Sequence, residues 1–247
     1  MNVSRPKLRP QPRRQPAISL AQKAYFIIQE KILRGDIPLG APLSRRKLAA
    51  ELGMSILPVA EALQSLESDG LVESRARAGT RVCLPTISDI RDRYEVREAL
   101  ESHAARLFVT RATDRDRLHL ETMAARLDVM FASCSPKNEI TRDYMYSVQS
   151  FHREFHAGIA LATGCHALHH ALEHNHVLIF NWLFDVAANR PLLPPRFHTS
   201  LIEALNEGDV SKADQAMREH VRYGLDTVLR ELGPRSKTAA VSFERAK

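Results

Sequence analysis

From Ser88 to about Leu232, apolar side chains return every three or four positions and almost never every second one, so most of the chain must fold as packed helices. In Asp89–Val109 the stripe holds Ile90, Tyr94, Arg97, Leu100, Glu101, Ala104 and Leu107. Similar stretches follow at Arg115–Ala132, Arg142–Ala162, His166–Ala188, Pro195–Glu207 and Val210–Leu232. The expectation is an all-α bundle of six to seven helices over residues 86–232, entered through a linker at Pro85–Asp89. Small and charged residues at 233–247 read as a flexible tail. No apolar run approaches the roughly 18 residues of a membrane span. The N-terminus has no charged-then-apolar leader, and Cys83, Cys134 and Cys165 lack ligand-like spacing, so a cytoplasmic chain with free thiols is expected.

Ahead of the linker the pattern changes. Ser44 is a helix-capping residue type followed by Arg45, Arg46 and Lys47, then by Leu48, Ala49 and Leu52 at helical spacing, with Gly53 at the stop. Ser55 offers a second cap, Pro58 fits only a first turn, and Val59, Ala62, Leu63 and Leu66 recur at three and four. Two short helices around a Gly-Met-Ser turn make a helix-turn-helix, whose second helix enters a major groove N-terminus first. Leu71–Ser74 and Thr80–Val82 then read as strands of a hairpin with Arg75 and Arg77 at its tip. Residues 19–85 are thus a winged helix-turn-helix.

Charge follows the same division. Residues 1–85 hold 14 Lys and Arg against 7 Asp and Glu, an excess of 7, whereas the whole chain carries +6, which leaves about −1 for residues 86–247. Basic side chains on one unit suit a phosphate backbone and predict binding that weakens steeply with salt. Residues 1–18, with Arg5, Lys7, Arg9, Arg13, Arg14 and several prolines, read as a disordered basic arm.

Leu43, Leu48-Ala49, Leu52-Gly53, Ser55, Pro58-Val59, Glu61-Ala62-Leu63, Leu66, Gly70-Leu71-Val72 and Gly79-Thr80-Arg81-Val82 resemble the winged helix-turn-helix of GntR-type bacterial transcription regulators. Tyr94–Glu101, Phe155-His156 with Ala162-Thr163-Gly164, and His198 through Ala204-Leu205, Gly208-Asp209, Ala213 and Met217–His220 resemble the effector-binding FCD domain of the FadR-like branch. The resemblance implies a mainly α protein, a ligand-responsive regulator that binds double-stranded operator DNA as a homodimer. Ile56 and Ala60 stand where that family usually carries arginine. Apolar base contacts are therefore expected from Ile56 and Leu57, with Ser44, Arg45, Arg46, Ser55, Gln64 and the wing residues Arg77, Gly79, Thr80 and Arg81 supplying the other DNA contacts.

Four histidines carry the sharpest chemical expectation. His152 and His156 are four apart, which stacks two imidazoles on one helix face. His198 and His220 fall on the next two helices, across the Gly208-Asp209 turn, so an antiparallel pair brings them to one point. The resemblance implies that these four positions are the metal-binding set, the first being normally Asp or Asn and here His152. Neutral imidazoles suit a divalent transition metal, Zn²⁺ or Ni²⁺ before Cu²⁺. Arg97 is expected to fork onto the carboxylate of a small organic acid beside the metal, the competing reading being a salt bridge to Glu101 one turn on. Asn181 and Trp182 either line that pocket or are plain core, and Tyr144 and Tyr146 are weaker candidates. The stripe His166, His170, His174 reads as surface or dimer contact without metal. An alternative keeps the regulator but has the helical domain bind an acyl chain or only dimerise. Enzymatic chemistry is not expected: His152-Arg153-Glu154-Phe155-His156 is not the His-Glu-x-x-His order of metal hydrolases, and no glycine-rich phosphate loop occurs.

Overall fold

A computed structural model describes residues 18–75, 79–134, 139–186 and 193–244, with the side chains of 177–186 and 231–244 outside the description. The first helix, α1 (Leu20–Leu33), opens with a capping box in which Ser19 Oγ accepts the Gln22 N–H and the Gln22 side chain accepts the Ser19 N–H. Sequence reasoning did not single out this helix, although Ser19-x-x-Gln22 followed by Ala24, Ile28 and Ile32 in steps of four is its signature.

The two expected short helices are α2 (Arg45–Leu52), capped by Ser44, and α3 (Ile56–Ser68). Gly53 takes the left-handed φ of 63° that ends α2, a conformation that a Cβ would strain. Pro58 sits in the first turn of α3, where its missing N–H removes no helix bond. The wing is β2 (Val72–Arg75) paired antiparallel with β3 (Gly79–Val82), in a register that sets Ser74 against Thr80. A short β1 (Pro42–Leu43), which no sequence pattern announced, pairs with the other edge of β3. Ile28, Ile32, Leu48, Val59, Leu63, Leu66, Val72 and Val82 close one small core beneath these elements.

The helical unit comprises, among the described residues, α4 (Ile87–Arg111), α5 (Asp114–Ser133), α6 (Arg142–Ala162), α7 (His166–Val186), α8 (Phe197–Asn206) and α9 (Val210–Glu244). Thr86, Thr113 and Thr141 cap the first three, the first two in boxes with Asp89 and Asp116. Phe108, Leu120, Leu127, Phe155, Ile159, Leu172, Ile202, Leu205 and Val221 pack at its centre. The tail expected at 233–247 is corrected over most of its length: α9 continues through Gly233 and Pro234 to Glu244. Arg235, Lys237, Ala239 and Ala240 favour helix, and a proline deletes one ladder bond without forbidding the turns beyond it. Of the expected basic arm, residues 1–17 lie outside those described.

Several contacts among the described residues join the units. At the start of α6, Arg142 Nη2 donates to the Gly35 carbonyl at 2.7 Å, and Arg34 stacks 4.6 Å over the Tyr146 ring. On α7, His174 Nδ1 lies 4.0 Å from Asp69, the residue that ends α3 and accepts the Tyr25 hydroxyl at 2.6 Å.

Candidate metal centre and DNA-reading face

Helices α6, α8 and α9 bring the four expected histidines to one place. Nε2 of His156 stands 2.9 Å from Nε2 of His152 and 3.3 Å from Nε2 of His220. Those three residues present ligand atoms within 4.8 Å of one another. His198 stands just outside that triplet, its ring centre 5.0 Å from that of His152 and 5.3 Å from that of His220. Two nitrogens bound to one tetrahedral Zn²⁺ at ~2.0–2.1 Å are roughly 3.3 Å apart, so the observed separations fit a shared ion. Nε2 of His198 is buried without a hydrogen-bond partner among the described residues, which suits a ligand position.

Carboxylates behind the rings decide which nitrogen faces inward. Glu101 on α4 is 1% exposed, and its Oε1 accepts from Arg97 Nε at 2.5 Å and from His176 Nε2 at 2.8 Å. Its Oε2 lies 2.6 Å from Nδ1 of His156. Asp128 on α5 accepts from Nδ1 of His198 at 2.9 Å. Burial lowers the affinity of these rings for a second proton. It holds His152 and His220 well below the usual histidine range, helped by neighbouring rings and Arg97, and brings His156 to about 4 despite Glu101. His176 and His198 shift the same way for the same cause. Burial raises Glu101, but Arg97 and the histidines beside it outweigh that and keep the carboxylate ionised, well below its usual range. Neutral rings are what a metal ion requires.

Arg97 makes the salt bridge of the competing reading, to Glu101 one turn on. Its Nε is committed to Glu101, while Nη2 lies 3.4 Å from Nε2 of His156, at the edge of the histidine cluster. The adjoining cavity measures about 30 Å³ and is lined by Tyr94, Arg97, His152, Phe197, His220 and Tyr223, among others. That is room for about one water. The side chains of Asn181 and Trp182 lie outside the described residues. Tyr144 and Tyr146 are elsewhere, lining a groove with Arg34 and Asp143 at the junction of the two units. His166, His170 and His174 are exposed, as expected, whereas His176 on the same helix is buried on Glu101. Sequence reasoning missed His176, Asp128 and the joint role of Glu101; for His176 the signal was its departure from the four-residue spacing of the exposed stripe.

On the winged unit, Arg45 and Arg46 are exposed in the first turn of α2, and Ile56 (49%) and Leu57 (68%) are exposed at the start of α3. Gln64 is exposed further along α3. The Ser44 hydroxyl caps α2, and Ser55 begins α3 without a side-chain cap bond, which leaves its hydroxyl uncommitted to the helix. In the wing, Gly79 is exposed with φ 81°. Arg77 lies outside the described residues. Thr80 is corrected as a contact candidate: strand alternation turns it inward, 7% exposed, with its hydroxyl 3.0 Å from that of Ser74. Arg81 donates to Glu73 at 2.6 Å, which offsets its charge.

Comparison with known proteins agrees with this architecture. The family described as bacterial regulatory proteins, gntR family, matches residues 20–82, and the FCD domain family matches residues 92–223. A relative in Paenarthrobacter nicotinovorans, named "Probable D-xylose utilization operon transcriptional repressor", is 30% identical over 202 residues, covering 81% of this chain and 84% of its own length. The HTH-type transcriptional repressor RspR of Escherichia coli (strain K12) is 22% identical over 209 residues, 84% of this chain and 88% of the relative. Among solved structures, E. coli McbR/YncC has the same fold, with a TM-score of 0.70 at 22% identity over 87% of this chain and 99% of that one. The chain belongs to the gntR family of bacterial regulatory proteins: it is a transcriptional regulator, not an enzyme, that joins a DNA-binding winged helix-turn-helix to an FCD domain.

Proposed function

We propose that this regulator works as a cytoplasmic homodimer whose grip on a double-stranded operator is set by a divalent transition metal, Zn²⁺ or Ni²⁺, and a small carboxylate effector in the helical unit. The observation that carries the reading is the convergence of three imidazole Nε2 atoms at 2.9 and 3.3 Å, on the half-buried His152 and the buried His156 and His220, with a fourth ring, His198, against them. His152, His156, His198 and His220 would hold the ion, and bound there it would supply a Lewis-acidic position for one carboxylate oxygen. Arg97 Nη2, beside His156, would take the other oxygen, its Nε remaining on Glu101. The cavity beside the histidines has room for about one water, so a carboxylate would enter it only as its lining moves apart.

DNA contact is assigned to Ser44, Arg45, Arg46, Ser55, Ile56, Leu57, Gln64 and the wing around Gly79 and Arg81. Support comes from the exposure of the α2 and α3 N-termini together with the basic excess of residues 1–85. Phosphates are held at the α2 start, and base edges meet Ile56 and Leu57 by apolar contact. A symmetric dimer would set two such faces on the half-sites of a pseudo-palindrome.

Helix α7 is the physical link between the two ends. His176 touches Glu101 at the histidine site, and His174, two residues earlier, faces Asp69 at the end of α3. A ligand that favours one seating of α7 by ~1–3 kcal/mol changes operator affinity by roughly 5–150-fold. A thermal-shift screen of small carboxylates, run with Zn²⁺ and with a chelator, tests the reading. Stabilisation by an acid only when metal is present supports it; stabilisation that ignores the chelator, or none with any acid, removes the metal-linked effector.

A further inference from the structure

We infer that Asp128 is the positioning residue of the histidine site: it holds the Nδ1 proton of His198 while capping α8, and so leaves Nε2 as the lone-pair atom available to a metal. This assignment rests on the metal reading above and concerns a residue on α5, a helix that contributes none of the four histidines.

The geometry starts from a helix that lacks a cap of its own. Residue Arg196, before α8, is left-handed (φ 60°) and makes no side-chain cap bond. The Asp128 carboxylate takes over. Oδ1 accepts the His198 backbone N–H at 2.9 Å and Nδ1 of the same residue at 2.9 Å. Oδ2 accepts the Thr199 N–H at 3.0 Å and the Thr199 hydroxyl at 2.6 Å. Four donors converge on this one carboxylate, two of them backbone N–H groups that can only donate, and such a set matches the ionised form.

An ionised carboxylate only accepts, so Nδ1 of His198 must carry the hydrogen, and a neutral imidazole has only one. Nε2 is then an unprotonated acceptor. It is buried and has no hydrogen-bond partner among the described residues, while the ring is fixed by stacking on Phe131 at 5.2 Å and by edge contact with His152. A carboxylate behind a ligating histidine both fixes the tautomer and raises the basicity of the free nitrogen. Glu101 also lies behind a ring of the cluster, its Oε2 2.6 Å from Nδ1 of His156. Only Asp128 can be tested cleanly, because Glu101 also neutralises the buried Arg97.

The test uses the full-length protein, first stripped of metal. Long-range ¹H–¹⁵N correlations of the wild type, with the His198 signals identified by their loss in His198→Gln, should show Nδ1 protonated and Nε2 bare. Asp128→Ala should move that proton to Nε2, the form that free histidine side chains favour. Its Zn²⁺ affinity, read in competition with a fluorescent chelator, should fall about 10–100-fold. Thr199→Val weakens the same cap without touching the ring, and should keep both the tautomer and the affinity of the wild type. A wild-type His198 protonated at Nε2, an unchanged Zn²⁺ affinity in Asp128→Ala, or an equal loss in Thr199→Val each overturns the positioning role. Wild-type protein that binds no Zn²⁺ overturns the metal reading itself, a different failure from equal binding by wild type and Asp128→Ala.

Discussion

The Nε2 atoms of His152 and His156 stand 2.9 Å apart inside the helical unit, closer than two lone pairs tolerate unless a proton or a cation lies between them. One neutral ring can supply that proton through its own Nε2–H, and a bound metal ion would take its place by accepting both lone pairs. Zn²⁺ at 100 times its dissociation constant should stabilise the stripped protein by ~2.7 kcal/mol, or roughly 5–10 °C in Tm. The double variant His198→Ala, His220→Ala should lose that shift and purify without bound metal. Full metal occupancy in it would end the four-histidine assignment.

Acidification should weaken the metal-free fold well before carboxylates titrate. His152, His156, His176, His198 and His220 are neutral in the folded state, with affinities for the proton lowered by burial. Unfolding returns them to the ordinary value near ~6.5, so below that pH the unfolded chain binds more protons and stability falls. Each such proton contributes a slope of about 1.4 kcal/mol per pH unit, continuing down to about 4 for His156. Urea denaturation of stripped protein at pH 7.5, 6.5 and 5.5 should show a drop that steepens over the last interval. A flat profile from 7.5 to 5.5 would mean that these rings are solvated.

The helix-turn-helix and the six-helix pattern were legible because their signals are local. Ser44, Gly53 and the three- and four-residue spacing each report on neighbours within a turn or two. The histidine quartet was legible as residue types and half-legible as geometry, since only His152 and His156 share a helix. The carboxylates behind the rings were not. Asp128 meets His198 across 70 residues and Glu101 meets His176 across 75, and no periodicity in either segment encodes which faces oppose. Thr80 failed for a simpler reason: the wing strand alternates, and a one-residue offset decides whether a hydroxyl faces DNA or Ser74.

Arg46→Ala should weaken binding to every duplex alike. One lost phosphate contact lowers the slope of log K against log salt by about 0.9. Fluorescence anisotropy on a promoter duplex and on a scrambled duplex between 50 and 200 mM salt, taken as approximate limits, reads both effects. An unchanged slope would remove Arg46 from the phosphate contacts.

Leu57→Ala should behave in the opposite way. Leu57 is exposed at the start of α3 and carries no charge, so its loss should reduce discrimination between cognate and scrambled duplex by ~1–3 kcal/mol and leave the salt slope intact. Equal losses on both duplexes would count against base contact there.

His174→Ala should uncouple the two units. The side chain is exposed except for its approach to Asp69, so folding and Zn²⁺ uptake should remain near wild type. What should shrink is the change in operator affinity on adding metal and carboxylate. A full response in this variant would route the coupling elsewhere than through the α7–α3 contact.

Operator binding by metal-stripped and Zn²⁺-loaded protein, each with and without a carboxylate that stabilises it, measures the central claim most directly. A salt-steep interaction whose affinity changes roughly 5–150-fold with the loaded ligand, and not at all in His198→Ala, His220→Ala, is the predicted result. Binding of equal strength in all four states of the wild type would contradict it.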